Sequence, residues 1–225
     1  MTDLMRYDII QRLIDHHGYK VYLEIGIHKG NTWNRIVCDN KRGIDPEKHV
    51  DSIYIHEETS DEYFAYRDKI TIGKSSPEFD IVFIDGLHRA EQVWRDIRNS
   101  LRYLNPGGCI VLHDCNPPTL AHAGPEPEIF KPPLPTGEPH YVWCGTVWQA
   151  AYRLGELKFS EHDDFYTVDT DWGVSVWEIG NKTQLFPSKI DEETNMDFWN
   201  YFDQNRQEIL NLITVDEFNR RYPPK

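Results

Sequence analysis

The chain has 225 residues, enough for one α/β domain with additions, and carries 24 basic against 37 acidic residues for a formal net charge of −13. That balance repels a polyphosphate backbone, so sequence-independent nucleic-acid binding is not expected. No apolar run approaches a membrane span, and Met1 to Arg6 shows no signal-peptide core. Cys38, Cys109, Cys115 and Cys144 form no C-x-x-C pair, which argues for free thiols in a reducing, cytoplasmic setting and against structural zinc.

Residues 3–17 carry Met5, Ile9, Ile10, Leu13 and Ile14 at helical spacing, and Gly18 is a stop. A first strand follows at 21–25. The spacing allows a helix over Asn31 to Asp39. Gly43-Ile44-Asp45-Pro46 reads as a short strand ended by proline, and Ser52 to His56 alternates like a third strand. Thr59-Ser60-Asp61-Glu62 has the capping-box pattern and opens a helix. Phe79 to Asp85 is a strongly apolar strand, as in the middle of a parallel sheet. Residues 89–104 form an amphipathic helix stopped by Asn105-Pro106-Gly107-Gly108, and Cys109 to Asp114 is another buried strand.

This alternation predicts a doubly wound, Rossmann-like, mostly parallel sheet. Beyond it, eight of the 14 prolines lie between Pro117 and Pro139, which excludes regular helix there. Helix returns over Thr146 to Leu157. Phe165–Val168 and Val174–Ile179 read as strands joined through Asp169-Thr170-Asp171-Trp172-Gly173, an antiparallel edge pair. Residues 194–222 read as one or two amphipathic helices. The expectation is therefore a seven-stranded α/β domain over 1–225. It has a Pro-rich lid at about 117–145 and a C-terminal helical extension at about 190–225. Phe198, Trp199, Tyr201 and Phe202 in that extension can cover the chain's own core or a second copy in a homo-oligomer.

Glu24-Ile25-Gly26-Ile27-His28-Lys29-Gly30 carries the most chemistry. An acid ends the first strand, and two glycines bracket the turn that follows. A dinucleotide site wants G-x-G-x-x-G, and here His28 takes the middle glycine's place. An acid before the loop suits a cationic ligand without phosphate, and S-adenosylmethionine (SAM), with its sulfonium and ammonium, fits. Acids recur at the ends of the next strands as Asp45, Asp85 and Asp114. Ligands bind at those ends in open α/β sheets. Each acid alone is also explained as a strand end or a cap.

The series YLEIGIHKGNT, GIDP, FDIVFIDGLH and SLRYLNPGGCIVLHDC resembles class I SAM-dependent methyltransferases. More narrowly, it is similar to the metal-dependent sugar O-methyltransferases of macrolide biosynthesis, over roughly residues 5–116. DTDWG at 169–173 resembles that family's terminal strands. The resemblance implies that Glu24, Gly26 and Gly30 line the methionine part of SAM, that Asp45 holds the ribose, and that Ser60 and Asp61 lie at the adenine. Asp85 also borders the cofactor. It further implies a divalent cation, Mg²⁺ first, between Asp85 and Asp114, with His88 as the general base.

The sequence departs from that family at His113, where some relatives carry an acid. Imidazole is a poor Mg²⁺ ligand, which leaves His113 or Asn116 as a third ligand, or a softer metal. The implied reaction is O-methylation of a sugar, glycan or glycosylated small molecule. Tyr141 and Trp143 would then border the acceptor. Competing readings are a metal-independent small-molecule methyltransferase and a non-catalytic SAM-fold binding protein. A nicotinamide oxidoreductase is disfavoured by the missing middle glycine.

Overall fold

A computed structural model describes residues 4–70, 78–126, 129–130, 140–141, 143–157, 163–180 and 187–224. The strands are β1 (Val21–Ile25), β2 (Asn40–Ile44), β3 (Ile55–His56), β4 (Phe79–Ile84), β5 (Leu104–Leu112), β6 (Ile129–Phe130), β7 (His140–Tyr141), β8 (Asp164–Val168), β9 (Val174–Glu178) and β10 (Leu212–Ile213). The helices are α1 (Arg6–His17), α2 (Ser60–Ile70), α3 (Ala90–Tyr103), α4 (Val147–Gly155), α5 (Met196–Ile209) and α6 (Val215–Arg221).

The main sheet has the order β10-β8-β9-β5-β4-β1-β2-β3. Strands β1 to β5 pair in parallel, and β9 pairs antiparallel with both β5 and β8. The chain leaves β1 towards β2 on one side and later returns to β4 on the other. This reversal opens a crevice at the carboxyl ends of β1 and β4, where open α/β sheets bind ligands. The sheet has eight strands rather than the expected seven, and the antiparallel pair is not its edge. Leu212-Ile213 adds outside β8, in parallel. Asn211, at φ 45°, breaks the helix expected there, and its side chain donates to the Phe165 carbonyl.

Both faces of the central strands are covered, which explains their near-continuous apolar runs. On one face Tyr22, Ile81, Phe83 and Val111 meet Ile9, Ile10 and Leu13 of α1 and Phe218 of α6. On the other, Leu23, Val82, Ile84 and Ile110 meet Trp94 and Ile97 of α3, Trp148 of α4 and Phe202 of α5. Of the aromatic run in the C-terminal extension, Trp199 and Phe202 are buried. Phe198, Trp199 and Phe202 pack on Trp148, while Tyr201 stays exposed. Three of the four thus cover the chain's own core.

Two local expectations change. Residues 31–39 form a few turns and no regular helix. The reason is long-range capture of the backbone a helix would use. Gln11 of α1 bonds both the N–H and the carbonyl of Val37, and Lys41 Nζ takes the carbonyls of Trp33 and Ile36. The third strand shrinks to Ile55–His56, because Ser52 turns the chain by accepting from the Tyr54 and Ile55 amides. Of the Pro-rich segment, 127–128, 131–139 and 142 lie outside the described residues.

Candidate functional site

The loop after β1 is set by close backbone approach. Gly26, at φ 91°, has no room for a side chain: an added Cβ would overlap the Asp85 carbonyl and lie 2.6 Å from the Gly86 Cα. The loops after β1 and β4 therefore touch backbone to backbone. Gly30, at φ 78°, is closed in by Asn34 and Val50. Asp45, just past β2, folds the loop. Its Oδ2 accepts from the Ile27 and His28 amides at 2.8 Å each, and its Oδ1 from the Glu47 amide. This loop-holding duty is invisible in sequence, and it leaves acceptor capacity on Oδ1. Glu24 is 1% exposed and accepts from the Tyr22 hydroxyl at 2.6 Å. Burial pushes its carboxyl up to about 8, in spite of the Tyr22 bond.

The loop after β4 and the turn after β5 form a second cluster. Asp85 Oδ1 lies 3.2 Å from His113 Nδ1 and 3.5 Å from His88 Nε2. Asp114 Oδ2 lies 3.2 Å from His113 Nδ1 and 3.3 Å from His88 Nε2. Two carboxylates and two imidazoles thus alternate around one point. Burial alone would raise the Asp85 pKa, but His113 and His88 outweigh it and hold the carboxyl well below its usual range. Burial works against charge on His113 as well, yet Asp114 and Asp85 hold its pKa well above the ordinary value. His88 behaves alike: burial lowers its pKa, and Asp85 and Asp114 raise it further.

The outer partners set the proton positions. The Trp143 carbonyl, which can only accept, lies 3.1 Å from His88 Nδ1. This puts the proton on Nδ1 and turns Nε2 to the acids. The Trp143 ring stacks on the imidazole at 5.1 Å between centroids. At His113 Nε2, Arg6 Nη1 stands at 3.1 Å and Asp171 Oδ1 at 3.5 Å. The guanidinium only donates and the carboxylate only accepts, so they compete for that nitrogen while Nδ1 keeps its proton. Arg6 also binds Asp171 through its backbone amide and Nη1, and Thr32 through Nε. Asp114 sits at φ 62°, a conformation that costs a non-glycine residue free energy and recurs at functional sites.

Asn116 does not join this cluster. Its amide oxygen accepts from Arg206 and its nitrogen donates to Asp169, so it ties the turn after β5 to α5 instead of offering a third ligand. Among the described residues, the donors grouped for a metal are Asp85, His113 and Asp114, whose ligand atoms all lie within 4.8 Å of one another.

A third wall comes from the start of α2 and from α3. Ser60 is buried, while Asp61 is half exposed and pairs with Arg95. Between them stands Gln92, whose Nε2 donates to Ser60 Oγ at 3.1 Å and to Asp96 Oδ1 at 3.0 Å. Asp96 is 1% exposed, and burial pushes its carboxyl up to about 7.

The three walls line one cavity of about 640 Å³, within the usual range for a small-molecule site. Glu24, Gly26, Asp45, Ser60, Asp61, Asp85, His88, His113 and Asp114 all border it; Gly30 shapes its loop from behind. Arg6, Gln92 and Asp96 border it too, and sequence reasoning missed them. Asp96 did leave a signal, as an acid on the apolar side of α3 between Val93 and Ser100. Arg6 left none.

Fold, cavity and family comparison agree on a class. Residues 23–115 match a family described as a methyltransferase domain. No curated protein matches the chain. Among solved structures, it is similar to a putative caffeoyl-CoA O-methyltransferase from Staphylococcus aureus, at 16% identity over 80% of this chain and 85% of that one, with a TM-score of 0.52. It is similar to an O-methyltransferase from Bacillus cereus in complex with S-adenosylhomocysteine (SAH), at 11% identity, 77% and 80% coverage and a TM-score of 0.52. A weaker likeness, TM-score 0.43 and 18% identity, is to the MycE methyltransferase of the mycinamycin biosynthetic pathway in complex with Mg and SAH; it covers 81% of this chain and 51% of MycE. The methyltransferase-domain match over residues 23–115, together with the fold, supports a SAM-dependent methyltransferase. No helix among the described residues is long and apolar enough to cross a membrane.

Proposed function

We propose that the protein transfers the methyl group of SAM to a hydroxyl of a sugar, glycan or glycosylated small molecule, with a divalent cation assisting. One observation carries this reading: the cavity that holds buried Glu24 also holds the cluster of Asp85, His88, His113 and Asp114. Glu24 is a buried acid whose charged form wants a cation, and the ammonium of SAM supplies one. The Gly26–Gly30 loop covers the methionine, and Asp45 offers the remaining acceptor position of Oδ1 to a ribose hydroxyl.

In the reaction the acceptor oxygen attacks the methyl carbon as the carbon–sulfur bond breaks. Sulfur takes the electron pair and leaves as neutral SAH. Alignment of oxygen, carbon and sulfur supplies much of the rate. His88 Nε2, turned to the site by the Nδ1 bond to Trp143, takes the hydroxyl proton when the imidazole is neutral, a form that Asp85 and Asp114 disfavour and that gains as pH rises. Asp85 and Asp114 would hold the cation. His113 joins through Nδ1 once that proton leaves, with Asp171 placed to hold the other proton at Nε2. A bound divalent ion would lower the pKa of the acceptor hydroxyl. Mg²⁺ suits the two carboxylates, and the imidazole shifts preference towards Mn²⁺ or Zn²⁺. Trp143 and the partly exposed Trp172 offer flat apolar faces to a sugar.

The imidazoles already neutralise the two carboxylates, which favours metal-independent transfer as the second reading. Transfer of a labelled methyl group to a panel of glycosides, before and after chelation with EDTA, separates the two. Activity lost with EDTA and restored by Mg²⁺ or Mn²⁺ supports the cation. Full turnover after chelation removes the cation and leaves His88 as the base. No SAH binding in calorimetry would end both readings.

A further inference from the structure

Asp96 lies inside α3, is 1% exposed, and still borders the cofactor cavity. Among the described residues no ion pair joins it to a cation. The adjacent Arg95 turns to Asp61, at 3.4 Å. The protein donors that reach it are neutral: Gln92 Nε2 at 3.0 Å and the Ser60 hydroxyl. A carboxyl group offers about four acceptor positions, so two neutral donors leave acceptor capacity unused in a place where water access is small. Burying such a group costs free energy unless it finds a partner. An apolar residue would serve α3 better if packing were the only demand. Gln92 lies one helical turn before Asp96, and its amide is held by Ser60. The carboxyl is therefore aimed from two sides rather than left to rotate.

We propose that Asp96, positioned by Gln92 and Ser60, accepts a hydrogen bond from the 6-amino group of the adenine of SAM and makes the enzyme select adenosyl over inosyl cofactors. The proposal rests on the SAM reading of the cavity. It moves the reading of the base from Asp61, half exposed and held by Arg95, to a buried residue of the next helix. Burial also raises the Asp96 pKa to about 7. The amino group of a bound adenine gives that buried carboxyl the further donor it lacks. An inosyl ring carries a carbonyl at position 6 and turns it towards the Asp96 oxygen, acceptor against acceptor.

The test is calorimetry of SAH and of S-inosylhomocysteine on the full chain. Wild type should prefer SAH by about 10–100-fold, the range for leaving a buried hydrogen-bonding group unpaired. In Asp96→Asn the Gln92 and Ser60 donors hold the amide oxygen, which leaves the N–H to face the ring, so SAH should weaken about 10-fold or more and the preference should shrink below about 5-fold. Asp61→Asn should leave the preference unchanged. A wild-type preference retained by Asp96→Asn overturns the proposal, as does its collapse in Asp61→Asn. SAH binding with no base preference at all removes the Asp96 role and spares the SAM reading. Absence of SAH binding removes both. If Asp96→Asn does not fold, Ser60→Ala, which frees one side of the carboxyl, should reduce the preference; an unchanged preference there refutes the proposal.

Discussion

The same residue makes a stability prediction that is independent of any ligand. In the unfolded chain Asp96 titrates near its ordinary 3.8, whereas in the folded protein burial raises it to about 7. Below pH 3.8 both states hold the proton and the buried acid is neutral. As pH rises from about 4 to 7 the unfolded state loses its proton first, so folding must retain one or bury a charge. Stability from this group is therefore full below about pH 4, falls through pH 7, and is flat above it. At about 1.4 kcal/mol per pH unit, the loss is at most about 4 kcal/mol. Asp96→Asn removes the titration and keeps the shape, and its amide oxygen can accept from Gln92 as the carboxyl does. The variant should melt near wild type at pH 4.5 and several degrees higher at pH 8.5, since about 1 kcal/mol shifts a domain of this size by about 2–4 °C. Scanning calorimetry at the two pH values measures both. A variant that melts below wild type at pH 8.5, or shows no pH-dependent difference, would falsify the argument that Asp96 is a buried neutral acid. Gain in stability together with loss of SAH affinity is what a residue kept for binding should show.

Two further expectations concern glycines that bring the site together. Gly26→Ala forces a Cβ into the Asp85 carbonyl at a left-handed φ, so it should cost about 2 kcal/mol or more of stability and weaken SAH binding; Gly86→Ala, whose Cβ would find only ordinary contacts at 3.6 Å and beyond, is the stability control. Equal melting temperatures for the two variants would show that the β1 and β4 loops do not meet as described. Gly145→Ala would overlap the His88 carbonyl at φ 65°, and it should lower turnover by an order of magnitude or more while SAH affinity in calorimetry stays near wild type. Unchanged turnover would mean that His88 is not held from that side. His88→Ala should cut turnover about 10²–10⁴-fold, the usual worth of a general base, with SAH affinity kept; near-normal turnover would reduce His88 to a spacer.

The sequence was readable where local pattern and topology carry the same message. The apolar runs of β1, β4 and β5 can only be central strands, and once they are parallel, the acids ending them must share one edge. Glu24, Asp45, Asp85 and Asp114 follow from that alone. Illegible features depend on partners far away in the chain. Residues 31–39 lose their helix to Gln11 and Lys41, and Asn116 is drawn from the Asp85–His113–Asp114 cluster by Arg206 and Asp169. β10 is too short to show a period. Asp96 broke the apolar stripe of α3, a visible irregularity whose meaning needed the cavity.

Asp171 shows how the antiparallel part of the sheet serves the site. β9 runs against β5, and β8 against β9, so β8 points the same way as the parallel strands. Its carboxyl end, and the turn 169–173 after it, must then lie beside the ends of β4 and β5. The turn docks there through two backbone bonds, from the Cys115 amide to the Gly173 carbonyl and from the Asn116 amide to the Trp172 carbonyl. Gly173 is required at that contact, because a Cβ would overlap the Asn116 backbone. Docking brings Asp171 to His113 Nε2, and Arg6 crosses from α1 to bind Asp171. Three carboxylates, Asp85, Asp114 and Asp171, then surround one imidazole with a single guanidinium beside it. Such a cluster keeps its acids ionised only while protons or a cation stay on the inner side. Asp171→Asn should therefore leave SAH binding intact and loosen His113, which a shift of its ring resonances in NMR would report. Unmoved His113 resonances would mean that the turn packs against the site without tuning it.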